Sequence, residues 1–256
     1  MPNTSASRLD ATIPRSAVAK SAILRSVRPE FRSAPLRSAD ASAEAGLRHI
    51  GSLIARPEGR AIIEQGDPAT YVFRVIDGLL RAVLLLPDGR RYVVRFMWPG
   101  DFFGFEFGRR HIHTVEAIVG VKLMRYERAR LDELMATHPQ AGYQLLGQVN
   151  HELSSAQDHL LMLGRKTALE RLTSFLLEMA THRTDPAQIM GKEARLPMSR
   201  ADIADYLGLT METVSRLMTR LRRRRVIALP TTDIVVLLNR AALVRLADCK
   251  VKALRP

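Results

Sequence analysis

Asp202-Ile203-Ala204-Asp205-Tyr206-Leu207-Gly208-Leu209-Thr210-Met211-Glu212-Thr213-Val214-Ser215-Arg216 carries two helix patterns joined by one glycine. Just ahead of it, Ser199-Arg200-Ala201-Asp202 is a capping signal: the Ser199 hydroxyl can accept from an orphan backbone N–H, and Asp202 suits the positive end of a helix. Ile203, Ala204 and Leu207 give the first helix an apolar face. Gly208 permits the left-handed dihedral that ends it, Leu209 can plug the corner, and Thr210 is placed to cap a second helix. In that second helix Val214, Leu217, Met218 and Leu221 fall at i, i+3, i+4 and i+7, which leaves Glu212, Thr213, Ser215, Arg216, Thr219 and Arg220 outside. The stretch predicts a helix-turn-helix.

Short polar groups and arginines at the start of an exposed helix suit major-groove reading. Arginine can fork onto guanine O6 and N7, and glutamate can accept from cytosine N4. The run Arg222 to Arg225 points around the helix in several directions, so phosphate is the better assignment for some of it. Ser199, Thr210, Thr213, Thr219, Arg220, Arg222 and Arg223 are the candidate contacts to the DNA backbone. Beyond them, Ile227 to Leu229 and Ile234 to Leu238 flank Pro230-Thr231-Thr232-Asp233 as a β-hairpin, which makes the motif winged. Charge agrees. Arg195 to Pro256 holds 13 Lys/Arg against 5 Asp/Glu, or +8 of the total +13, whereas Gly51 to Ala194 holds 18 against 17. A compact basic module on a nearly neutral body points to double-stranded DNA as partner.

Upstream, the reading changes. Residues 1–40 mix Ser, Ala, Pro and Arg without periodicity and read as a mobile basic arm. A short helix is expected through Ala41 to Leu53. From Arg60 to about Arg125, short apolar runs alternate with turn signals such as Asp77-Gly78 and Pro87-Asp88-Gly89, the style of a β-sandwich, jelly roll or barrel. A hairpin is predicted between Leu80 to Leu86 and Arg91 to Met97. After a helix ending near His138-Pro139, Leu146, Val149, Leu153, Ala156, Leu160 and Leu163 recur at spacings of 3, 4, 3, 4 and 3. That heptad seam predicts one long helix packing against its symmetry mate, a dimer interface. Helical pattern resumes over Ala168 to Ala180, and Thr184 to Lys192 reads as a loop. The domains expected are residues 1–40, 41–138, 139–165 and 166–256, in an α+β chain.

Several classes are excluded. The one cysteine, Cys249, cannot form an internal disulfide, a zinc finger or an iron–sulfur cluster, which fits a reducing cytoplasm. No apolar run approaches the roughly 18 residues of a membrane helix, so no membrane association is expected. No Ser/His/Asp set, phosphate-binding glycine loop or paired-carboxylate pattern stands out, so no catalytic residues, cofactor or metal are assigned. One alternative is a cupin-type metal site on His111-Ile112-His113 with Glu116, since alternate residues of a strand share a face. Phe102, Phe103, Phe105 and Phe107 around Gly104 read as packing rather than as a base-stacking platform.

The quoted stretch resembles the DNA-binding signature of Crp/Fnr-type bacterial transcription regulators, in particular their FixK-like branch. The order of β segment, heptad helix and winged motif agrees over about Arg60 to Leu246. The resemblance implies a cyclic-nucleotide-binding-like β jelly roll, a long dimerisation helix and a C-terminal winged helix-turn-helix. It also implies a homodimer that binds a palindrome and engages RNA polymerase. The family's Glu-x-x-Ser-Arg pattern falls on Glu212, Ser215 and Arg216, which by resemblance read the bases of a TTGAT-type half-site. Two departures bear on the effector. The cysteines that hold an iron–sulfur cluster in Fnr-type sensors have no counterpart in Met1 to Asp248. Gly104-Phe105-Glu106 followed by Arg109-Arg110-His111-Ile112-His113-Thr114 lacks the Arg-Ser or Arg-Thr pair of cyclic-AMP binders. FixK-like proteins commonly lack both devices, which implies a regulator of low-oxygen or nitrogen-fixation genes that works without bound effector; a cyclic-nucleotide-responsive regulator is the alternative.

Overall fold

A computed structural model describes residues 41–106, 110–182 and 192–247. The expected arm at 1–40, Phe107, Arg109, most of the Thr184–Lys192 loop and Cys249 lie outside the described residues. The chain runs α1 (Ala41–Ile50), β1 (Gly51–Arg56), β2 (Ala61–Ile63), β3 (Tyr71–Asp77), β4 (Leu80–Leu85), β5 (Arg91–Met97), β6 (Phe102–Phe103), β7 (Thr114–Ala117), β8 (Val121–Glu127), α2 (Arg128–Thr137), α3 (Pro139–Arg165) and α4 (Ala168–Met179). It continues with β9 (Glu193–Arg195), α5 (Arg200–Leu207), α6 (Met211–Arg223), β10 (Ile227–Ala228), β11 (Ile234–Leu237) and α7 (Arg240–Ala247).

Eight strands form two antiparallel four-stranded sheets, ordered β1-β8-β3-β6 and β2-β7-β4-β5. Their inner faces share one core, to which Phe73 and Val75 come from one sheet and Leu80, Ala82 and Met97 from the other. Strand periodicity sends Val72, the residue before Phe73, to the opposite face, where it packs with Leu47 of α1, Leu131 of α2 and Leu145 of α3. The predicted hairpin forms as β4 and β5, and Gly89 takes φ +83° in its turn. At the Asp77-Gly78 turn a Cβ on Gly78 would sit 2.5 Å from the carbonyl oxygen of Gly120, so two turns approach backbone to backbone.

The helix expected through Leu53 ends earlier. Gly51 begins β1, which pairs with β8 from Gly51↔Tyr126 to Arg56↔Val121. A Cβ at Gly51 would lie 2.7 Å from the Met124 side chain, so the bare glycine admits its strand partner β8. The wing also differs from a simple hairpin: β9 pairs with β11, giving a three-stranded sheet ordered β10-β11-β9.

A register shift in the β4–β5 pair, Ala82↔Arg95 followed by Val83↔Val93, leaves Val94 as an extra residue on β5. The bulge sets the orientation of the outer face. Val93 and Phe96, three apart, join the core of the C-terminal region, while Val94 and Met97 point into the β-sandwich.

Candidate nucleic-acid interface

Ser199 caps α5 through a reciprocal box: its hydroxyl accepts from the Asp202 N–H at 3.0 Å, and Asp202 Oδ2 accepts from the Ser199 N–H at 3.1 Å. Ile203, Ala204 and Leu207 are buried, and Gly208 ends the helix at φ +60°. Thr210 then caps α6, accepting from the Thr213 N–H at 3.1 Å. Val214, Met218 and Leu221 are buried and Leu217 is half-buried, which fixes the inner face. Glu212, Ser215, Arg216, Arg220, Arg222 and Arg223 are exposed, and Thr213 and Thr219 half-buried.

The outer face of α6 is an open groove lined by Ser215, Arg216, Thr219, Arg220, Arg223 and Arg224. Its base is ordered by hydroxyls: Thr210 Oγ1 and Thr213 Oγ1 lie 2.9 Å apart, and Arg216 Nη2 donates to Thr213 Oγ1 at 3.4 Å. Glu212 in the first turn and Arg220, Arg222 and Arg223 in the last are matched to the helix dipole. Arg224 lines the groove and was absent from the contacts expected from sequence. Its position depends on how the helix ends. The four-arginine run is not one continuous helical turn. Arg224 is the C-cap, Arg225 is left-handed at φ +52°, Arg225 N–H donates to Arg222 O at 2.9 Å, and Val226 N–H donates to Leu221 O at 3.1 Å. This is a Schellman termination with arginine where glycine is usual.

On α3 the seam faces outward: Leu146 is 54% exposed, Leu153 56% and Leu160 68%, with Val149 and Ala156 also exposed. Leu163 differs. It is half-buried, with Cδ2 3.5 Å from where a Cβ on Gly208 would lie. One guanidinium joins the same two regions: Arg171 of α4 donates to Leu163 O at 2.7 Å, to Lys166 O at 2.9 Å and to Leu207 O at 3.0 Å. His159 of α3 stacks on Tyr206 of α5 at 4.2 Å between centroids, and its Nε2 lies 2.9 Å from the Tyr92 hydroxyl of β5. Burial and the charge of Arg171 hold the His159 imidazole below its ordinary value.

The alternative metal set does not assemble. His111 is buried with Nδ1 3.0 Å from Glu106, Ile112 is exposed, and Glu116 binds Arg81 at 2.7 Å. Among the described residues no group of three or more His, Cys, Asp or Glu is arranged to hold a metal ion. Phe102 and Phe103 are core residues, stacked respectively near Tyr126 and Phe73. The cleft between the β-roll and α3, lined by Arg95, Asp101, Phe105 and Glu152 among others, encloses only about 10 Å³. Arg95, on its wall, is bonded to Glu152 at 3.0 Å and to the Phe102 carbonyl at 2.9 Å. No helix among the described residues is long and apolar enough to cross a membrane.

A winged motif whose second helix presents arginine and short polar groups on a fixed apolar base defines a sequence-reading DNA-binding protein, here carried on a cyclic-nucleotide-binding-like β-roll. Comparison with known proteins agrees: a Crp-like helix-turn-helix domain model matches residues 170–246, and a cyclic nucleotide-binding domain model matches residues 54–138. The nitrogen fixation regulation protein FixK of Bradyrhizobium diazoefficiens is 38% identical over 201 residues, covering 77% of this chain and 83% of that protein. FixK of Rhizobium meliloti is 43% identical over 171 residues, 67% of this chain and 75% of that one. The solved structure of FixK2 from Bradyrhizobium japonicum superposes with a TM-score of 0.72 at 37% identity, covering 78% of this chain and 98% of that chain. The chain belongs to the Crp/Fnr family of transcription regulators, in its FixK-like branch. Its relatives are transcription regulators and not enzymes.

Proposed function

We propose that the protein acts as a homodimer on a palindromic TTGAT-type operator, in the cytoplasm and without a bound effector, to control low-oxygen or nitrogen-fixation genes. The observation that carries this reading is the outer face of α6, where Glu212, Ser215 and Arg216 stand exposed over a buried Val214–Met218–Leu221 base. In this reading those three specify bases. Thr219, Arg220, Arg222, Arg223 and Arg224 hold phosphate. Ser199, Thr210 and Thr213 contribute through the helix ends that they cap or order.

The exposed leucines of α3 supply the dimer seam, because a large apolar stripe on a helix gains by burial against a second copy. Two-fold symmetry of the protein then matches two-fold symmetry of the operator. Residues 41–138 serve as the body, 139–165 as the dimerisation helix and the segment from 166 as the DNA-binding unit, with RNA polymerase as a further partner at promoters. The effector-free reading is supported by the small cleft beside α3, whose volume of about 10 Å³ compares with several hundred for ordinary ligand pockets.

Selection of bound sites from a random duplex pool, with and without cyclic AMP, tests this. A TTGAT-type palindrome recovered equally in both arms is the expected result. Recovery only with the nucleotide would establish the cyclic-nucleotide-responsive alternative, and single half-sites would remove the dimer.

A further inference from the structure

The first helix of the DNA-binding motif is gripped by the β-roll. On the outward face of β4, Arg81 is anchored by Glu116 of β7, with Nε at 2.9 Å and Nη2 at 2.7 Å, and extends Nη1 to Asp202 Oδ2 at 2.8 Å. Arg91 of β5 donates from Nη2 to Asp202 Oδ1 at 2.7 Å and from Nη1 to Asp205 Oδ2 at 2.6 Å. Asp202 is only 2% exposed and is the same carboxylate that closes the capping box of α5 with Ser199. Each of its oxygens therefore answers to a different arginine of the β-roll, while one of them also orders the helix start.

Planar guanidinium forks fix direction as well as distance, which an apolar contact alone does not. Beside the forks, Phe96 of β5 meets Tyr206 of α5 at 5.2 Å between centroids, and Val83 and Val93 join the same core as Ile203, Val214 and Met218. The contact is continuous from the β-roll through α5 to the inner face of α6. Burial pushes the Asp202 carboxyl up, but the hydrogen bonds from Arg91 and Ser199 and the charge of Arg81 outweigh it and leave the group below its ordinary value. The carboxylate is thus charged across the physiological range.

We infer that Arg81 and Arg91 are positioning residues for operator reading: by holding Asp202 and Asp205 they fix where the recognition helix stands relative to the α3 seam. Neither arginine touches DNA in this role. The inference rests on the homodimer reading above, because only a dimer has a half-site spacing to set.

The test uses the full-length chain with Arg81→Gln, Arg91→Gln and the double variant. Binding is measured on the palindrome selected by the parent, on the same palindrome with its half-sites one base pair closer or farther, and on a single half-site. The variants should lose about five- to tenfold of the preference for the native spacing, the scale of an ordinary coupling between sites, with half-site affinity and dimer size unchanged. An unchanged spacing preference overturns the inference, as does a half-site loss equal to the palindrome loss, since that would mean only a damaged fold. A second readout needs no DNA: spin labels on Glu58→Cys and Arg240→Cys, both at exposed positions, in a Cys249→Ser background. The distance distribution should broaden in the double variant, and a distribution as narrow as the parent's overturns the clamp. If the parent itself ignores half-site spacing, the homodimer reading fails, and the distance measurement alone decides the clamp.

Discussion

Arg216 stands on the exposed side of α6 with its Nη2 3.4 Å from the Thr213 hydroxyl, which in turn meets the N-cap Thr210. Its guanidinium is held at the helix start, where a recognition helix meets base edges. Arg216→Ala should cost about 1–3 kcal/mol at the specific site and little on random duplex. Filter-binding or anisotropy titrations on both duplexes measure this, and equal losses on the two would reassign Arg216 to phosphate. Two left-handed residues, one before α6 and one after it, have opposite consequences. Gly208 at φ +60° has no Cβ to strain, whereas Arg225 at φ +52° does. Gly208→Ala should destabilise by about 1–2 kcal/mol and Arg225→Gly should stabilise by about 1 kcal/mol, the usual left-handed penalty. Chemical denaturation midpoints report both, and equal signs would refute the assignment of strain.

The long helix α3 does two jobs at the level of the element. Ala141, Leu145 and Met162 are buried against its own chain, while Leu146, Leu153 and Leu160 are exposed on another face. Because the exposed face contributes little to the monomer's own core, polar substitution of Leu153 and Leu160 together should leave monomer unfolding within about 0.5 kcal/mol of the parent. It should weaken dimerisation and palindrome binding in parallel. A sizing column at several concentrations checks the first, and an unchanged dimer would exclude the seam as its interface. The 3-4 spacing made this face legible without any structure. The same rule missed β1, since a six-residue strand beginning at Gly51 has its hydrogen-bond partners in β8, about seventy positions later, and no local pattern announces them. It missed β9 for the same reason.

Across the fold as a unit, α3, β5 and α5 meet at His159. Burial, and secondarily the charge of Arg171, lower its pKa below the ordinary 6.5. A histidine that binds its proton less tightly when folded contributes stability that is present above the unfolded value and lost as pH falls through and below it. His113, lowered chiefly by burial, acts in the same sense. Stability should therefore decline as pH drops below about 6.5, and in His159→Phe, which keeps a ring against Tyr206 but cannot titrate, the decline should be shallower. Denaturation at pH 7.5 and 5.5 for parent and variant measures the difference, and parallel slopes would exclude His159 as a source.

Read alone, residues 199–221 specify the winged motif's caps, turn and inward face, because a capping serine, a left-handed glycine and a 3.6-residue apolar period are local chemistry. The excess of +8 from Arg195 onward follows from counting. Folding settled what distance along the chain conceals: that Val94 bulges so Val93 and Phe96 share a face, that Arg225 takes the glycine's place in a Schellman turn, and that Arg81 and Arg91 close on Asp202 from more than a hundred residues away. Periodicity reports which side of an element is apolar. Which charged side chains meet across two domains is decided only when the tertiary structure brings them within hydrogen-bond reach and removes the water between them.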